Sequence, residues 1–139
     1  CPGVLEDRRV TVSYDPVPYD RLFPADYDAF IMAEKYNGLS LPLAEARASG
    51  MLVVTTNRFP MNDWLPREHL IPVAGYTRER VGGPYNVYDE AHVHPEDVAA
   101  TIDRLHGLNI TEYSRAGREW AEEMSWGRLK ARWLEALTF

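Results

Sequence analysis

Tyr36-Asn37-Gly38-Leu39-Ser40-Leu41-Pro42-Leu43-Ala44-Glu45-Ala46-Arg47-Ala48-Ser49-Gly50, running on into Met51-Leu52-Val53-Val54-Thr55-Thr56, is the most informative stretch of this 139-residue chain. A glycine-containing loop leads to a proline, which is tolerated at the start of a helix and predicts one from Pro42. Gly50 releases that helix, and the apolar run at 51 to 56 reads as a buried strand. Working outward, similar runs predict strands at 10 to 14, 28 to 33 and 69 to 73. Strands alternating with helices or loops imply a parallel sheet with crossovers, so the fold class is α/β, a Rossmann-like parallel sheet with flanking helices. The segment from Ala74 to Ala91 holds Gly75, Gly82, Gly83, Pro84 and several tyrosines without periodicity, and reads as a long irregular loop. Pro95 to His106 carries Val98, Ala99, Ile102 and Leu105 at helical spacing and ends at Gly107. Asn109 or Thr111 can cap a further helix to about Met124, and Trp126 to Leu137 forms the last, with Leu129, Trp133, Leu134 and Leu137 on one face.

The loop at 37 to 41 has a definite chemistry. The free N–H groups of a helix's first turn and the positive end of its dipole favour a phosphate, and Gly38 lets the backbone approach it closely. Glu45, a turn or so beyond Pro42, is placed to accept hydrogen bonds from a ribose diol, so that one element grips both ends of a nucleotide. Plainer readings compete. An acidic residue near a helix start is worth about 0.3 to 1 kcal/mol through the dipole alone, and Asn37-Gly38 is also a common turn pair.

These residues resemble the donor-binding pattern of retaining GT-B glycosyltransferases, the glycosyl transferases group 1 family, written Glu-Gly-Phe-Gly-Leu-Pro-x-x-Glu-Ala-x-Ala-x-Gly. Asn37 occupies the first acidic position and Glu45 the second. The resemblance implies that Glu45 binds the ribose hydroxyls, that Gly38, Leu39, Ser40 and Leu41 approach the diphosphate and sugar through their backbone, and that Asn37 faces the transferred sugar. Asn in place of Glu brings no charge to a glycosyl centre that becomes cationic in the transition state; Glu34, three residues earlier, is a candidate compensating carboxylate. Val10 to Tyr14, the short helix Tyr19 to Phe23, the aspartate-then-strand segment Ala25 to Met32, the helix start at His94-Pro95-Glu96-Asp97 and Met124-Ser125-Trp126 follow the same family order. The match implies a single partial nucleotide-sugar-binding domain over residues 1–139, the later part of a GT-B C-terminal domain, with C-terminal helices at about 95 to 137. The basic diphosphate clamp and the acceptor domain would then lie upstream of Cys1 or on a partner chain. The implied donor is a nucleotide-diphosphate sugar of UDP or GDP type, and the family pattern requires no metal and no further cofactor.

Composition narrows the alternatives. A net charge of -6 disfavours nucleic acid, whose binders present basic patches. Only Lys35 and Lys130 among the 15 basic residues are lysines; the rest are arginines, suited to phosphates and to surface ion pairs alike. The single cysteine, Cys1, excludes an internal disulfide framework and suggests a reducing, cytoplasmic setting. No apolar run approaches the about 20 residues of a transmembrane helix, which leaves peripheral membrane association. His92 and His94 at i, i+2 lack a third metal ligand and read as loop histidines. Asp63 and Trp64 are placed to close over a base or to pack in the core; Tyr76, Tyr85 and Tyr88 fit a sugar platform or ordinary loop packing. The competing function is a non-catalytic Rossmann-like module that binds nucleotide or docks another chain, including a second copy through an exposed sheet edge.

Overall fold

A computed structural model describes residues 7–18, 21–23, 27–80, 82–83 and 85–138. Its centre is a three-stranded parallel sheet in the order β1 (Ala29–Met32), β2 (Leu52–Thr56), β3 (Leu70–Ile71). Ala29 pairs with Leu52 and Met32 with Thr55 in one ladder, and Thr55 pairs with Leu70 in the next. Helix α1 (Leu41–Ala48) makes the first crossover, and two 3-10 turns, Met61–Asp63 and Arg67–His69, make the second. After β3 come β4 (Gly75–Arg80), β5 (Val87–His92), α2 (Pro95–Leu105), α3 (Thr111–Glu123) and α4 (Trp126–Leu137). The architecture is mixed α/β with helices flanking a parallel sheet, consistent with a Rossmann-like arrangement.

Strand periodicity explains the two-faced core. Val53 points into a cluster with Leu43 and Ala46 of α1, Met51, Met61, Leu65 and Leu70, whereas Leu52 and Val54 point into a second cluster with Ile71 and Leu105 of α2. All five residues of β2 are buried, as expected for a central parallel strand covered on both faces. The outer strand β1 is less covered: Ala29 and Ile31 are exposed and line an apolar trough of about 430 Å³ with Leu52, Val54 and Ile102.

Helices α1 and α3 meet closely because Gly117 has no side chain. A Cβ there would stand 2.5 Å from the Arg47 carbonyl oxygen. The Arg47 guanidinium lies 4.5 Å from the Trp120 ring and 5.3 Å from Trp64, whose planes are nearly parallel, and its Nη1 donates to the Trp64 carbonyl. Trp64 therefore sits half-buried against the first core cluster rather than in the site. The Asn109 side chain accepts from the Thr111 N–H and caps α3, although Ile110 is the residue at the helix boundary.

Two expectations fail. Residues 10–14 form no strand; Val10, Val12 and Tyr14 are exposed and pair with no strand among the described residues, and alternation without a partner makes no sheet. The segment 74–91 is no irregular loop but an antiparallel hairpin, Gly75 opposite His92 through Arg80 opposite Val87. The other strands are shorter than expected by a residue or two at their ends. Tyr19 and Asp20 of the expected short helix, Ala25 and Asp26 of the segment before β1, and Cys1 lie outside the described residues.

Candidate functional site

All three strands of the parallel sheet point their carboxyl ends at one edge, and three segments meet there: the loop from Ala33 to Ser40 after β1, Asn57 to Asn62 after β2, and the β4–β5 hairpin after β3. Ligands of open parallel sheets bind at this edge. Two buried threonines of β2 fix the first loop. Thr55 Oγ1 donates to the Met32 carbonyl and Thr56 Oγ1 to the Glu34 carbonyl, each at 2.8 Å. The Lys35 carbonyl accepts from Arg58 Nη1 at 2.6 Å and from the Ala91 N–H at 2.7 Å, which joins all three segments at one oxygen.

Beyond Lys35 the chain curls into α1. Ser40, 3% exposed, takes φ 47° and ψ 69°, a left-handed conformation that costs a non-glycine residue roughly 1–2 kcal/mol. This is the position at which the resembled pattern has its second glycine. The strain is held from two sides: the Ser40 carbonyl accepts from the Leu43 and Ala44 N–H groups, and its own N–H donates to Asn37 Oδ1 at 3.3 Å. Pro42, inside the first turn, has no N–H. Among the described residues the N–H groups of Gly38, Leu39 and Leu41 have no hydrogen-bond partner, and Leu39 and Leu41 are exposed, so these three donors remain open to an anion. A Cβ at Gly38 would meet nothing within 4 Å, so the space above the loop is open. Glu45 lies one turn beyond Leu41 on the same side of the helix and is half-buried. The six residues expected from the sequence, Asn37 to Leu41 and Glu45, thus lie on one loop and one helix at the carboxyl edge.

Glu34 adds a carboxylate. It is 7% exposed; Oε2 accepts from Asn37 Nδ2 at 2.7 Å, and Oε1 is buried with no partner among the described residues. Arg58 Nε is likewise buried and unpartnered, while Asn62 Nδ2 donates to Asn57 Oδ1. The hairpin closes one side. Lys35 Nζ pairs with Glu90 at 2.7 Å, and Glu90 holds its ammonium above the ordinary range. Tyr36 and Tyr88 pack with ring centres 4.3 Å apart, and loss of solvent, then Tyr36, raises the Tyr88 phenol. Tyr88 thus serves packing, whereas Tyr76 and Tyr85 are exposed. His92 Nε2 shares a 2.6 Å hydrogen bond with Thr77 Oγ1. Among the described residues no cluster of three or more His, Cys, Asp or Glu side chains is placed to hold a metal ion, and no helix is long and apolar enough to cross a membrane.

The hairpin wall and the Glu34–Asn37 pair are the parts of the site that sequence reasoning did not assemble. Glu34 and Asn37, three residues apart, meet in a loop outside any helix, and Asn37 is held in turn by the N–H of the left-handed Ser40. Comparison with protein-family models, curated proteins and solved structures gives no match to this chain.

Proposed function

We propose that this chain is the donor-binding part of a retaining GT-B glycosyltransferase, taking a nucleotide-diphosphate sugar of UDP or GDP type. The observation that carries the reading is the set of three uncommitted N–H groups, of Gly38, Leu39 and Leu41, at the start of α1, with Glu45 one turn further on the same side. Backbone donors fixed before the ligand arrives stabilise the charge that develops on a leaving diphosphate without reorganising during reaction. Glu45 would accept from the ribose diol, and Asn37 would face the sugar. The basic clamp and the acceptor site would come from a segment upstream or a partner chain, in the cytoplasm or at its membrane surface.

The test is thermal stability in the presence of UDP, GDP, ADP and dTDP and their sugar conjugates, for the parent chain and Glu45→Ala. A true ligand at 100 times its dissociation constant stabilises by about 2.7 kcal/mol, and the shift should disappear in Glu45→Ala. No shift with any nucleotide sinks the reading. The second reading, a non-catalytic interaction module, is favoured by α4, in which no residue is buried and Trp126 is 78% exposed.

A further inference from the structure

We infer that Glu34 is a positioning residue for the sugar end of this site, delivering the influence of its charge through the side-chain amide of Asn37. The inference rests on the donor-site reading above.

Glu34 has both its Oε1 and nearly all of its surface buried, so its carboxylate does not itself meet a ligand at the loop surface. Asn37 is less buried than Glu34 and is hydrogen-bonded to it. Two hydrogen bonds define which way its amide points: Nδ2 donates to Glu34 Oε2, and Oδ1 accepts from the Ser40 N–H. A flipped amide would set its oxygen against the carboxylate. In this orientation Asn37 keeps one N–H and one oxygen lone pair uncommitted. A charge-assisted hydrogen bond at 2.7 Å in a low-dielectric setting also polarises the amide, which makes Oδ1 a stronger acceptor for a sugar hydroxyl or a developing positive centre.

The unpartnered Oε1 points the same way. A buried carboxylate oxygen with no donor is costly, and a structural role alone would be served as well by an uncharged acceptor. Retaining a negative group behind Asn37 has a use if the site must favour positive charge or hydroxyl donors in front of it. The charge missing at position 37 is then supplied from position 34, one hydrogen bond further back.

The experiment compares Glu34→Gln, Asn37→Asp and the double exchange Glu34→Gln/Asn37→Asp with the parent. Binding of UDP and GDP is measured beside binding of their glucose and mannose conjugates, and the readout is the ratio of affinities, conjugate over bare diphosphate. The amide introduced by Glu34→Gln can still accept from Asn37 but carries no charge, so the bare diphosphate should bind within about twofold of the parent. The ratio should fall about tenfold, the scale of one hydrogen bond to a charged group. Asn37→Asp sets two carboxylates together and should lower the ratio as well. In the double exchange the new amide at position 34 donates to the new carboxylate at position 37, which still accepts from the Ser40 N–H, so the ratio should recover; a purely structural role for Glu34 would produce no such rescue. Unchanged discrimination in Glu34→Gln, with bare diphosphate still bound, overturns this inference and leaves the donor site standing. A parent chain that binds none of the diphosphates overturns the donor site and this inference with it. If Glu34→Gln fails to fold, failure of the double exchange to restore the ratio decides against the inference.

Discussion

β2 and α4 are the two extremes of this molecule. Every residue of β2 is buried, and none of α4 is. α4 in fact holds the larger apolar side chains, two tryptophans and three leucines against one leucine and two valines in β2, so apolar content does not account for burial. The difference is in what surrounds them: β2 lies between two strands and beneath helices on both faces, whereas α4 makes its main contact with α3 and leaves Trp133 52% and Trp126 78% exposed. Apolar surface stabilises a fold only when something covers it. Stability therefore resides in the sheet and its two clusters, and α4 carries surface whose contribution to this chain is small.

That contrast can be broken or sharpened by substitution. Leu52→Ala in β2 removes a side chain from the second core cluster and should cost about 3 kcal/mol, read as a fall of roughly 10 °C in Tm. Gly117→Ala should cost about 2 kcal/mol, because the new methyl cannot coexist with the Arg47 carbonyl unless α1 and α3 part. A loss below about 0.5 kcal/mol in denaturant titration would mean that this helix pair is looser than the structure has it.

His69, at the opposite edge of the sheet, gives the contrast a pH dependence. It is buried, its ring packs on Tyr113 with centres 4.6 Å apart, Nε2 has no partner, and burial lowers its imidazole below 6.5. The unfolded chain binds the proton more readily than the folded one. The stability this group contributes is therefore complete above about pH 6.5 and is lost as pH falls from there toward the lowered folded value, at no more than about 1.4 kcal/mol per pH unit. His69→Gln should flatten that slope in Tm measured from pH 8 to pH 5; a parent profile no steeper than the variant's would dismiss it. The smallest effect belongs to α4: Trp133→Ala should change stability by less than about 0.5 kcal/mol, since its ring is already half in water. A loss comparable with Leu52→Ala would erase the contrast.

What was legible in the sequence follows from the same physics. The run 51 to 56 identified itself as a buried strand because Met51 to Val54 are continuously apolar and β-branched residues fill Val53 to Thr56, and Pro42 and Gly50 bracketed α1 through their own backbone restrictions. β4 and β5 were missed because exposed faces leave no alternation: Thr77, Arg78, Glu79 and Arg80 are polar, and their pairing comes from register across a turn. Gly82-Gly83 between two runs containing Tyr and Val was the available signal. Residues 10–14 misled in the opposite sense, having the alternation of a strand and no partner strand among the described residues. The place of Asn37 to Leu41 and Glu45, on the loop and first turns of α1 after β1, was legible from Gly38, Pro42 and Gly50. The Glu34–Asn37 contact and the Lys35 carbonyl junction were not, since both require the folded path of the loop.

The Lys35 carbonyl oxygen, which accepts from Arg58 and from Ala91, is a shared anchor for three stretches of chain. Its two bonds tie the exits of β1 and β2 and the root of the hairpin into one knot. Under the donor-site proposal, a ligand would meet a shape assembled in advance and have less disorder to remove on arrival. Ala91→Pro would untie the hairpin's strand of that knot and leave the Arg58 strand in place.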